Sequence, residues 1–152
     1  WHNPREEPVV LDLKGTGAGY EDITYQSSAS RWYFLIEAAE TKSGVYMPRV
    51  DEFDESFAFI RSYWLDFPVK AGNKGFEGLS TLHHAGNDFL LGLCEGNKCK
   101  SGSAGVQPGK GRIQVFKRAC ETWEHTRTSR LPPPSAVAIA RSSHALATAW
   151  CG

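Results

Sequence analysis

Two carboxylates and a hydroxyl recur at one place in a repeating pattern, and all three are oxygen donors. Glu21 stands in Gly19-Tyr20-Glu21-Asp22-Ile23, Glu77 in Gly75-Phe76-Glu77-Gly78-Leu79, and Ser135 opens Ser135-Ala136-Val137-Ala138-Ile139. Glu21 and Glu77 lie 56 positions apart, and Glu77 and Ser135 lie 58 apart. If the repeats close around an axis, these side chains converge on it. Such a set of hard oxygen ligands suits Ca²⁺. A cation would also offset the repulsion between neighbouring carboxylates. The other reading of the same residues is that they begin strands at a solvated rim. Asp22 either adds an oxygen to the set or faces water.

Other groups stand near the same place in the pattern. Glu40 and Glu95 end the second strand of their units, where one of them could act as a general base on a metal-bound water or simply terminate a strand. The loop from Gly96 to Gly111 carries Lys98, Lys100 and Lys110, with Arg112 just beyond it. These four cations could hold the phosphate of a small phosphorylated molecule, or the loop could be only a solvated connection. The loop is not a Walker motif, because Gly109-Lys110 is followed by Gly111. No Gly-x-Ser-x-Gly elbow occurs, so a serine hydrolase is not supported.

The elements that would position these residues are strands. Gly19 to Tyr25, a polar turn over 26–30 and Arg31 to Ile36 form one hairpin pattern. Gly75 to Leu82, a turn over 83–87 and Asp88 to Leu93 repeat it. Each of these two units continues into a second pair of strands. In the first unit the pair is Val45 to Phe53 and Phe57 to Phe67, where Phe57, Phe59, Arg61, Tyr63, Leu65 and Phe67 alternate with period two. In the second unit it is Gly111 to Lys117 and Trp123 to Leu131. Pro68 and Pro132 close the units, which fits edge strands. The Ala-rich tail from Ala136 to Ala149 could be helical, but its alternation about Ser142-Ser143 favours a third hairpin. The fold class expected is therefore all-β, with consecutive four-stranded antiparallel blades of a β-propeller. The units are a lead-in over 1–18, blades over 19–70 and 71–132, and the start of a third over 133–152. A propeller needs about four blades or more, so missing blades or neighbouring chains are expected to close the ring.

Composition narrows the function classes. Lys plus Arg and Asp plus Glu are 17 each, so the formal charge is zero and no nucleic-acid partner is expected. No apolar run approaches the ~20 residues of a membrane span, so no membrane partner is expected. The start Trp1-His2-Asn3-Pro4 has neither an initiator Met nor a signal peptide and reads as entry into the middle of a protein. Cys94, Cys99, Cys120 and Cys151 leave the redox compartment open, although Cys94 and Cys99 could close a hairpin loop. Zinc is the weaker reading, because the Cys94-x4-Cys99 pair has no matching second pair and His83-His84 falls at a turn.

Three stretches together resemble the esterase-like phytase propeller domain: Gly75 to Leu79, Phe89 to Asn97 with its Leu91-Gly92-Leu93-Cys94-Glu95 run, and Gly111 to Phe116. Tyr20-Glu21-Asp22-Ile23 looks like the start of the preceding blade. The likeness spans about Gly19 to Leu131 and rests on short motifs. More distantly, the chain is similar to calcium-activated nucleotidases, in which acids and serines at blade starts ring an axial calcium. The resemblance implies calcium as cofactor, Glu21, Glu77 and Ser135 as ligands, and phosphoric ester hydrolysis as the activity. The alternative is a non-catalytic propeller that serves as an interaction scaffold.

Overall fold

A computed structural model describes residues 19–69, 75–94, 111–120 and 122–131. They form eight strands, and no helix occurs among the described residues. The strands are β1 (Asp22–Gln26), β2 (Arg31–Glu40), β3 (Tyr46–Phe53), β4 (Phe59–Trp64), β5 (Phe76–His84), β6 (Asn87–Cys94), β7 (Arg112–Ala119) and β8 (Thr122–Arg130). They build two four-stranded antiparallel meanders, β1-β2-β3-β4 and β5-β6-β7-β8. The hairpins expected between Gly19 and Leu131 are present. The tail from Ser135 onward lies outside the described residues.

The two sheets are the same unit built twice, and their ladders show it. Asp22 faces Leu35, which faces Val50, which faces Tyr63. Gly78 faces Leu93, which faces Ile113, which faces Ser129. Both units also end on the same hydrogen bond. Leu65 N–H donates to Pro48 O at 2.9 Å, and Leu131 N–H donates to Gly111 O at 3.0 Å.

Period-two alternation makes the sheets stack. On β2, Tyr33 and Leu35 point at the second sheet and are fully buried. On β6 and β7, Leu90, Cys94 and Phe116 point back at the first. Trp123 fills the middle, with Tyr33 and Tyr63 edge-on to its ring. Each large apolar side chain removed from water contributes about 1.5–3 kcal/mol, so this shared layer is what makes the two sheets one body. Gly92 belongs to the same layer. A Cβ there would collide with the Phe76 ring, so the backbone must be bare where the ring lies.

The hairpin tips follow turn chemistry. Ala85 and Gly86 form the two-residue turn between β5 and β6, both at positive φ (48° and 71°). That is the geometry whose twist matches the flanking strands.

Candidate functional site

Glu21 stands just ahead of β1 and Glu77 is the second residue of β5, and each lies where the pairing of its strand is irregular. Glu21 N–H donates to Leu35 O at 2.9 Å, yet Asp22 is the residue that faces Leu35, so two residues oppose one. On β5 the register shifts between Phe76 and Gly78, which leaves Glu77 as the extra residue. A bulge re-aims a side chain without ending the strand. Both glutamates are solvent-exposed.

The first strands of the two sheets, β1 and β5, lie side by side, with equivalent residues matched. Thr81 Oγ1 donates to Tyr25 O at 2.8 Å, a contact across 56 positions. Asp22 Oδ2 accepts the Leu79 N–H at 2.6 Å. The repeat spacing seen between Glu21 and Glu77 is thus the spacing of the contact between β1 and β5. The two glutamates therefore stand at matching points of adjacent strands.

Asp22 is half-buried, and both of its carboxylate oxygens accept backbone hydrogen bonds. Its Oδ2 is held by Leu79 and its Oδ1 accepts the Ile23 N–H at 2.8 Å, so it ties the sheets together. Glu40 ends β2, exposed, and accepts the Tyr46 hydroxyl at 3.2 Å. Arg112 is the first residue of β7 and is buried, with Nη1 donating to Gly111 O at 2.9 Å. Ser135, Lys98, Lys100, Lys110 and Glu95 lie outside the described residues. Cys94 is disulfide-bonded, and Cys99 and Cys151 lie outside the described residues; Cys120 is free and exposed.

Among the described residues, no three His, Cys, Asp or Glu side chains group as a metal cage. Two glutamates supply at most part of the shell of about six to eight oxygens that Ca²⁺ takes. They fit as partial ligands whose complement would come from further repeats.

The sequence reading missed two polar clusters. At the hairpin tips, Asp88 Oδ1 gathers His83 Nδ1 at 2.6 Å, Ser28 Oγ at 2.8 Å and Gln26 Nε2 at 3.0 Å. Partial burial pushes the Asp88 carboxyl up, but the His83 and Ser28 hydrogen bonds outweigh it and hold it below the usual range. Ser28 contacts the carboxylate and not the imidazole, so nothing here activates its hydroxyl as a nucleophile.

The second cluster is buried between the sheets. Glu52 is 3% exposed and meets Arg31, Arg61 and Arg118, each at 3.5 Å. Arg118 donates to the Tyr33 hydroxyl at 2.9 Å and to the Tyr63 hydroxyl at 2.6 Å, and its guanidinium lies over the Tyr63 and Trp123 rings. Burial, then the nearby Glu52 carboxylate, push both phenols above their ordinary range. The only sequence signal for this cluster was an acid, Glu52, inside an expected strand. Its partner Arg118 lies 66 positions away, which no local pattern reveals.

No family model, curated protein or solved structure matches the chain.

Proposed function

We propose that this chain supplies two successive blades of a β-propeller, and that Glu21 and Glu77 contribute to a calcium site at the mouth of its channel. One observation carries this reading: two repeat-equivalent glutamates, each on its own bulge, stand exposed at matching points of adjacent inner strands. Rim carboxylates with no purpose would not need a bulge at both positions. Bulges recur next to functional sites because they redirect a side chain at small cost. Ser135 would extend the set in the next unit. The chemistry a bound calcium supplies is polarisation of a phosphoryl oxygen, as the likeness to esterase-like phytases implies. Lys98, Lys100 and Lys110 would hold the substrate phosphate.

The test is a thermal melt of the chain with calcium, with magnesium and with chelator. A ligand present at about ten times its Kd stabilises the folded state by about 1.4 kcal/mol. A calcium-specific rise in Tm that disappears in Glu21→Gln/Glu77→Gln supports the site. No rise, or a rise the double variant keeps, removes it.

Arg112 favours the second reading, a non-catalytic scaffold. It is the one proposed phosphate ligand among the described residues, and it is buried at the start of β7 rather than offered to a ligand. Phosphoester turnover by the chain, absent in a Lys98→Ala/Lys100→Ala/Lys110→Ala variant, would exclude the scaffold reading.

A further inference from the structure

The outer face of the second sheet is largely apolar. Alternation turns Leu82, Phe89, Leu91, Leu93, Ile113 and Val115 away from the first sheet. They form one contiguous patch: Leu82 faces Phe89, Leu91 faces Val115 and Leu93 faces Ile113. Leu82 and Leu93 are 42% and 39% exposed, and the other four are half-buried. An open apolar face of this kind marks a docking surface.

The ladders state what kind of partner it takes. This face is the repeat equivalent of the one the first sheet presses onto the second. In the first sheet, that face carries Asp22, Gln26 and Glu52, which make polar ties across the interface to Leu79, Asp88 and Arg118, and Arg31, which pairs with Glu52 within the sheet. The residues at the same ladder positions in the second sheet are Gly78, Leu82, Phe89 and Val115. Every polar tie has been replaced by an apolar or bare position. The charged residue the ladders place on this face is Arg127, beside Val115 at its β8 edge, so over the apolar centre a covering segment with many charges would bury them without partners, which is strongly destabilising.

That requirement separates the segments of the chain that lie outside the described residues. Residues 1–18 carry five charges, 70–74 two and 95–110 four. From Ser135 to Gly152 there is a single charge, Arg141, at an expected turn. The runs on either side, Ala136-Val137-Ala138-Ile139-Ala140 and Ala145-Leu146-Ala147-Thr148-Ala149-Trp150, are almost wholly apolar. The segment also starts in the right place. β8 is the edge strand of the second sheet, and 21 residues follow Leu131. A six-residue strand spans about 20 Å, which suits the length of β6 and β7.

We propose that the chain's own tail, Ala136 to Trp150, docks on the outer face of the second sheet and caps it. The inference stands on the repeat and does not depend on the calcium site. It is tested on the whole chain by amide hydrogen exchange read by mass spectrometry. Tail peptides are expected to exchange at least about tenfold more slowly than an unstructured chain. In Leu91→Lys and Val115→Lys that protection is expected to vanish while β2 and β3 peptides keep theirs. Ile139→Lys, which leaves the sheet untouched, is expected to free the tail in the same way. An unprotected tail in the unaltered chain overturns the proposal, as does protection that survives Ile139→Lys. So does a dimer in sedimentation that Leu91→Lys or Val115→Lys dissociates, because a second copy would then be the occupant.

Discussion

Replacing Arg118 by Met removes the group that joins the two sheets while keeping a long apolar side chain in its place. The guanidinium gives up hydrogen bonds to Tyr33 at 2.9 Å and to Tyr63 at 2.6 Å, and its position over the rings of Tyr63 and Trp123. A hydrogen bond from a charged group is worth about 1.5–3 kcal/mol. Each ring contact adds about 0.5–1 kcal/mol. The Arg118 side chain is 28% exposed, so solvent screens part of this and the lower ends apply. Glu52 is not left alone, because Arg31 and Arg61 stay at 3.5 Å. The lower ends sum to about 4 kcal/mol, and the apolar packing of the Met side chain returns about 1 kcal/mol, so the expected loss is about 3 kcal/mol. With a urea slope of about 2 kcal/mol/M, the midpoint drops by about 1.5 M. Urea unfolding followed by tryptophan fluorescence measures it, since Trp123 lies under the guanidinium. Arg118→Lys should recover less than half, because an ammonium cannot fork across two phenols. A loss under about 1 kcal/mol in Arg118→Met, or full rescue by Lys, would refute the claim that this residue fastens the sheets.

Gly92→Ala is expected to cost about 1–3 kcal/mol by overpacking, since the new methyl meets the buried Phe76 ring; an unchanged Tm would contradict the packing described. Ala85→Asn at the exposed turn position with φ 48° should stabilise by about 0.5–1 kcal/mol, because Asn tolerates the left-handed region better than Ala, and a lower Tm would sink that reading. Alkali should weaken the fold. Tyr20, Tyr33 and Tyr63 have phenols raised by burial first, and then by Asp51 for Tyr20 and Glu52 for the other two. Their contribution is whole below the ordinary tyrosine pKa of about 10 and is lost as pH rises beyond it. Acid works in the opposite sense through Asp88. Its lowered carboxyl stabilises the fold above the usual aspartate range, and that contribution fades as pH falls through its folded value, measurable as a falling melting temperature.

The strands were legible because each one pairs with its neighbour in sequence. Alternation from Phe57 to Phe67 marks β4, and the turn residues over 83–87 mark the tip that Ala85 and Gly86 make. The local pattern ran out where chemistry crosses between sheets. Asp22 looked like a ligand or a solvated acid, and only the approach of β5 shows that it holds the Leu79 amide. Arg118 falls just past the strand expected from Gly111 to Lys117, and its role exists only because Tyr33 and Tyr63 come from the other sheet. The bulges at Glu21 and Glu77 were equally hidden, since an extra residue in a ladder is defined by its partner strand.

What the sequence determined by itself is the repeat: two four-stranded meanders with equivalent glutamates near the start of their first strands. Period-two alternation and turn residues act over a few positions, and a repeat copies them, so both are written locally. What only the tertiary structure decided is how the two copies are joined. The bridge from the buried Glu52 carboxylate to Arg118, and the aspartate spent on the Leu79 amide, depend on groups more than 50 positions apart being brought together. The sheet that has those ties and the sheet that lacks them look alike as strings of strands. They differ only in which face meets another, and that is fixed by stacking.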